Sequence, residues 1–124
     1  MRRRRRVKWF EFRIDGRRWR VWLSFGKING TDGFKDCSGI TNNEKCYIVL
    51  SIRQHNNMVE LHKTLGHELV HAACGPSDMN SPIERMALAA EEFIADRCEQ
   101  NLVPLFISIG LQLPALPAGV VLGT

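Results

Sequence analysis

The stretch from Asn57 to Gly75 limits what this chain can fold into more than any other. Its apolar residues Met58, Leu61, Leu65, Leu69 and Ala72 recur at spacings of three and four, the period of a helix that rests one face on a core. Glu60, Thr64, His67, His71 and Cys74 fall on the opposite face, which would line a cleft. Asn57 followed by Glu60 reads as a capping box and Gly75-Pro76 as a stop, so a helix is expected over about 57–74. Two histidines four apart on such a helix are separated by about 40° around its axis, so His67 and His71 can reach one metal ion. Glu68 stands to the side of that pair, where it can take a proton from a water held by the metal. The competing reading of His67-Glu68-Leu69-Val70-His71 is a solvated helix face that carries two histidines.

A catalytic zinc site needs a third protein ligand and keeps its fourth position open. Glu84, Glu91, Glu92 and Cys74 are the candidates. Cys74 follows His71 by only three residues, and a rigid helix would strain to offer three ligands to one tetrahedral ion. Manganese or iron suits a set of two histidines and a carboxylate as well as zinc does.

The segment Thr64-Leu65-Gly66-His67-Glu68-Leu69-Val70-His71-Ala72, followed by Glu91-Glu92-Phe93-Ile94-Ala95-Asp96, resembles the gluzincins, the thermolysin-like HExxH metallopeptidases. It is more similar still to the small single-domain metallopeptidase-like proteins of phages and prophages. In that family the third zinc ligand is a glutamate on a second helix, which implies Glu92, 21 residues beyond His71. Asp96 matches the carboxylate that stands behind the ligands. Two positions depart from the thermolysin pattern: Glu91 replaces an asparagine and Ala95 a serine. The chain is also too short for the distal substrate-binding lobe of the larger members.

The resemblance implies an α+β chain with a minimal zincin-like fold, in which a small antiparallel or mixed sheet packs on the HExxH helix and on a second, ligand-bearing helix. It further implies a zinc-dependent metallopeptidase. Zn2+ on His67, His71 and Glu92 would activate a water against a peptide or protein substrate, with Glu68 as general base and later as proton donor to the leaving amine. Larger gluzincins add a histidine or tyrosine that stabilises the oxyanion. Tyr47 is the only tyrosine here, and the sequence does not place it. The alternative is a non-catalytic zinc-binding module of phage type that binds protein through the cleft or the tail.

The second helix is expected to begin at Ser81-Pro82-Ile83-Glu84, a capping box with proline in the first position. Glu92 and Asp96 share a face one turn apart, so Asp96 can accept the free ring N–H of His67 and fix its tautomer. Treated as an ordinary amphipathic helix, the same segment would turn Arg85, Glu92, Asp96 and Glu99 to solvent, opposite Ile83, Met86, Ala90, Phe93 and Ile94.

Upstream the period changes to two. Asp15-Gly16 is a tight hairpin turn between strands near 7–14 and 17–25. Trp19, Val21, Leu23 and Phe25 alternate with Arg18, Arg20, Trp22 and Ser24, which gives the sheet one buried face. Trp9, Phe10, Phe12, Trp19 and Trp22 read as sheet and core packing rather than a base-stacking platform. Residues 26–45, rich in Gly, Asn, Asp and Ser, read as a long surface loop, and 45–52 as a third strand. In zincin-like folds a strand there borders the cleft, and an extended peptide can pair beside it. His55 and His62 lie off the metal register. The four cysteines form no CxxC knuckle and are expected as thiols, with Cys74 and Cys98 as small packing residues.

At 124 residues the chain suits one domain: a basic arm over 1–6, a domain over 7–124, and an uncharged tail from about 104. Arg2 to Arg6 account for five of the seventeen basic residues, against thirteen acidic ones, so the net charge of +4 belongs to the arm. The arm is either a solvated tail or a contact for an acidic or nucleic-acid partner. No apolar run of signal length follows it, which leaves the cytoplasm as the expected location, the host's if the chain is phage-encoded. Pro104, Gly110, Pro114, Pro117 and Gly119 interrupt the tail, so no membrane-spanning helix is expected. The tail either packs back over the core or docks on a partner.

Overall fold

The computed structural model describes residues 5–28, 36–75, 82–110, 112 and 114–124. Ser81 and the side chain of Glu84, and with them the expected second capping box, lie outside the described residues, as do Arg2 to Arg4 and Pro76. Strands β1 (Arg6–Ile14) and β2 (Arg17–Ser24) form the expected antiparallel hairpin. Asp15 and Gly16 have φ of 49° and 77°, the two left-handed residues that let a two-residue turn follow the twist of its strands. A bulge between Lys8 and Phe10 accommodates Trp9, which is buried and donates from Nε1 toward the carbonyls of Pro114 and Ala115, both at 3.1 Å.

Strand β3 (Gly39–Asn42) arises inside the stretch expected to be loop. Four residues of mixed polarity carry too little periodicity to announce a strand. They become one by pairing antiparallel with β4 (Tyr47–Ser51), which in turn pairs parallel with β2. The sheet is therefore mixed, in the order β1-β2-β4-β3. This also corrects the expectation for the 45–52 strand: β4 is paired on both sides and has no free edge to offer a peptide. The edge strand beside the long helix is β3. Gly39 permits that approach, because a Cβ there would stand 3.0 Å from Leu50, 3.1 Å from Thr64 and 3.2 Å from Glu68.

Helix α1 (Met58–Cys74) matches expectation closely. The Glu60 N–H donates to Asn57 Oδ1 at 3.0 Å, and Glu60 Oε2 accepts from the Asn56 N–H at 3.2 Å, so the reciprocal bond lands one residue earlier than in an ideal capping box. Gly75 ends the helix at φ 82°. Leu61, Leu65 and Ala72 are buried against Val21, Leu23, Ile48 and Leu50 of the inner sheet face, each large side chain contributing roughly 1.5–3 kcal/mol. His55 is buried. Its ring nitrogens bond to the Ser51 carbonyl and, at 2.7 Å, to the Thr64 hydroxyl, tying the end of β4 to α1.

Helix α2 (Pro82–Arg97) is not the end of the helical run, which continues past Pro104. It runs through a π-helical turn, Cys98–Leu102, into α3 (Val103–Ser108). Proline has no N–H and crowds the carbonyl four residues back. The widened turn, in which the Val103 N–H bonds to the Cys98 carbonyl, absorbs that conflict without breaking the helix. The tail then packs back. Leu116, Val120 and Leu122 sit against the core and the Gly123 N–H donates to the Ile52 carbonyl at 2.9 Å, so the last part of the tail packs back, while Leu105 and Ile109 earlier in it stay exposed. Among the described residues no helix is long and apolar enough to cross a membrane.

Candidate metal centre

The outer face of α1 and the inner face of α2 meet over His67 and His71. Gly66 allows the meeting, since a Cβ on it would stand 2.4 Å from Val103 Cγ2 and 3.6 Å from Cys98 Sγ. The glycine directly before the first histidine is thus a close-approach residue that seats the second helix system on the first.

The consequence is a convergence of three donor groups. His71 Nε2 lies 3.3 Å from His67 Nε2 and 2.7 Å from Glu92 Oε1, and His67 Nε2 lies 3.6 Å from Glu92 Oε2. One ligand atom from each residue can be chosen so that all fall within 4.8 Å of one another. Tetrahedral ligands at zinc distances of 2.0–2.1 Å are separated by roughly 3.3 Å, so the histidine pair already has the required spacing and the carboxylate needs only a small adjustment. His67, His71 and Glu92 could hold a metal ion. Cys74, by contrast, is exposed at the end of α1, and Glu91 is engaged elsewhere.

Glu91 is the residue sequence reasoning misjudged. It is buried at 7% exposure, and its Oε1 stands 2.6 Å from His71 Nδ1, so it holds the side of the His71 ring turned away from Glu92. The only signal was its place beside Glu92, on the flank of α2 that faces α1. The counterpart at His67 is looser. Asp96 Oδ1 is 3.3 Å and Glu99 Oε1 3.4 Å from His67 Nδ1, yet neither is aligned for a hydrogen bond, and that nitrogen is buried without one. Asp96 is therefore near the atom expected of it and shares the place with Glu99, which the π turn brings in.

Glu68 is as buried as Glu91. The Thr41 hydroxyl, from β3, donates to Glu68 Oε1 at 2.8 Å. Burial raises the Glu68 pKa, an effect that the charge of Glu92 supports and that the Thr41 bond and the two histidines oppose. For His71, burial disfavours the charged ring, but the Glu91 bond and the charges of Glu92, Glu68 and Glu91 outweigh it and raise the pKa. A cleft of about 530 Å³ opens beside these groups, lined by Asp36 to Gly39 from the approach to β3, by Thr64, His67 and Glu68 from α1, and by Gln54, Glu92 and Glu99. Tyr47 is not among its walls. It lies on the other face of the sheet, under the Arg6 guanidinium.

No protein-family model matches this chain, and comparison with curated proteins and with solved structures finds no match.

Proposed function

We propose that this chain is a zinc-dependent metallopeptidase of minimal zincin-like design that cleaves peptide bonds. The observation that carries the reading is the convergence of His67, His71 and Glu92 within 4.8 Å beside a buried glutamate on the floor of an open cleft. A zinc ion bound there would act as a Lewis acid and lower the pKa of water toward neutrality. His67 and His71 serve as neutral ligands, and Glu91 holds the His71 ring with its free nitrogen toward the site. Glu68 takes the proton of the attacking water and returns it to the leaving amine. A raised pKa suits both roles, because a base that must later act as an acid works best with its pKa near the working pH. Thr41 keeps that carboxylate in one orientation. An extended substrate would pair with the edge of β3, bringing its backbone past Gly39 and into the cleft. The cytoplasm is the compartment this reading assumes.

The test is a pair of variants. Glu68→Gln should retain about one zinc per chain while losing peptide hydrolysis by roughly a hundredfold or more, and Glu92→Ala should lose the zinc. Unchanged turnover in Glu68→Gln, or a wild-type chain that binds no zinc after reconstitution, would remove the basis for this function.

A second reading, of an additional contact, is favoured by the arm. Arg6 is the first residue of β1, and its guanidinium stacks 4.8 Å from the Trp22 ring and 5.4 Å from that of Tyr47. With Arg18, Arg20 and Lys45 it borders a hollow on the outer sheet face. Glu11, near it, is clamped by Arg18 and Lys8, which lower its pKa to about 2. Such a surface suits a phosphate-bearing or acidic partner, nucleic acid included. Binding of single-stranded DNA that weakens steeply with salt and is lost in Arg18→Ala/Arg20→Ala would support it, and salt-independent binding would not.

A further inference from the structure

Helix α2 turns the wrong way for a solvated helix. Its carboxylates face α1, while Ile83, Met86, Phe93 and Ile94 stand 79%, 73%, 66% and 53% exposed. With Ala87 and Ala90, also exposed, they form one stripe at helical spacing, interrupted only at its end by Arg97. Counting the extra residue of the π turn, Leu102, Leu105 and Ile109, all exposed, come round to the same side. The exposed fractions amount to on the order of 1,000 Å², more than the roughly 300–600 Å² of the largest apolar patch on a typical monomer. A standard interface takes about 800 Å² from each partner. Outside the described residues the large apolar side chains are Met1, Phe34, Met79, Leu111 and Leu113, scattered singly over short stretches that offer little to cover it.

We infer that the α2–α3 face is the interface of a two-fold homodimer in which the two α2 helices cross antiparallel at Ala90. The stripe is complementary to itself in that register. Ala90 meets Ala90, which lets the backbones approach, Phe93 of each copy seats on Ala87 of the other, and Met86 lies against Ile94. A parallel pairing would instead stack Phe93 on Phe93 and leave the alanines facing a gap. Isologous contacts of this kind close on themselves and stop at two. The inference is independent of the peptidase reading, since the stripe lies on the side of α2 away from Glu91 and Glu92. It does give the ligand-bearing helix a second support that the monomer lacks.

The test is sedimentation velocity with light scattering on the full chain from about 1 to about 100 µM, a range that brackets ordinary dimer affinities. A mass of twice 14.1 kDa is expected. Phe93→Glu/Ile94→Glu should weaken the dimer at least about a hundredfold, whereas Val59→Glu, at an exposed site on α1, should leave it intact. Circular dichroism establishes that each variant is folded. The register is read by a size exchange: Ala87→Phe alone weakens the dimer, and Ala87→Phe/Phe93→Ala restores it. A wild-type monomer at the highest concentration would overturn the proposal, as would a dimer indifferent to the glutamates. A monomer that floats with phosphatidylcholine–phosphatidylglycerol vesicles would assign the face to a membrane and equally overturn it. Failure of the size exchange to restore the dimer would overturn the antiparallel register.

Discussion

The two helices that bring His67, His71 and Glu92 together are held by different forces. Helix α1 follows the ordinary rule: Leu61, Leu65 and Ala72 are buried on the sheet and both histidines face outward. Helix α2 reverses it. Among its described side chains Ala95 and Glu91 are buried, and Ile83, Met86, Phe93 and Ile94 look away from the core. Hydrophobic burial therefore fixes α1 whether or not a metal is present. The seat of α2 rests on a tight crossing at Gly66, on the Glu91–His71 pair, and on whatever Glu92 coordinates. A hydrophobic stripe defines a helix face independently of ligands. A carboxylate face needs its partners in place, because buried carboxylates are tolerated only when paired or coordinating. The lesson is that one half of the site is a scaffold and the other half depends on polar contacts to it.

That contrast can be broken most forcefully through the scaffold. Leu65→Ala removes a side chain that is 1% exposed, and it should lower unfolding stability by about 2–5 kcal/mol in a urea titration. The loss should be similar with and without zinc. A loss confined to the metal-loaded protein would mean that α1 is not the independent half.

Gly66→Ala probes the crossing between the halves. The new methyl would stand 2.4 Å from Val103 Cγ2, so the helices must part. Overpacking of this kind costs about 1–3 kcal/mol, against a gain of at most about 1 kcal/mol from helix propensity. Zinc affinity should fall with it, since Glu92 rides on the displaced helix. Calorimetric titration with zinc measures the fall, and an unchanged affinity would show that the crossing does not position the ligand.

A finer comparison sets Glu91→Gln against Asp96→Asn. Glu91 makes a 2.6 Å bond to a ligand ring, whereas Asp96 is 3.3 Å from His67 Nδ1 without a hydrogen bond. Loss of a carboxylate behind a ligand histidine typically weakens metal binding by about 10–100-fold. That loss is expected for Glu91→Gln and a smaller one for Asp96→Asn. The reverse order would return Asp96 to the role the resemblance implied for it.

The gentlest probe is pH. The His71 pKa is raised above its ordinary 6.5. In the metal-free chain this ring therefore adds stability that is fully present below pH 6.5 and is lost as pH rises through the raised value. Zinc has the opposite dependence, because only the neutral imidazole coordinates. Equilibrium dialysis at subsaturating zinc from about pH 8 down to about pH 5 should show release beginning above the pKa of an ordinary histidine, with the midpoint moved to lower pH in Glu91→Gln. An identical midpoint in that variant would remove Glu91 as the cause.

Local chemistry was legible wherever the signal is local. The Asp15-Gly16 turn, the Asn57 cap, the stripe from Met58 to Ala72 and the four-residue spacing of His67 and His71 are properties of neighbouring residues, and the sequence determined each of them. The family resemblance directed attention to Glu92, and the fold brings that glutamate to the histidines. What lay between distant segments was not legible. The short strand β3 exists because β4 supplies its hydrogen bonds, and β4 is interior because β2 claims its other edge. The passage of the helix through Pro104 depends on a π turn. The outward apolar face of α2 contradicts its own periodicity, since amphipathicity states that a helix has two faces but not which one meets the neighbour. That choice was made where the Cys98 and Val103 side chains pack on Gly66 and where Glu91 and Glu92 reach His71. Tertiary contact alone decides it, because only there does the buried Glu91 carboxylate find the partner that makes its burial favourable.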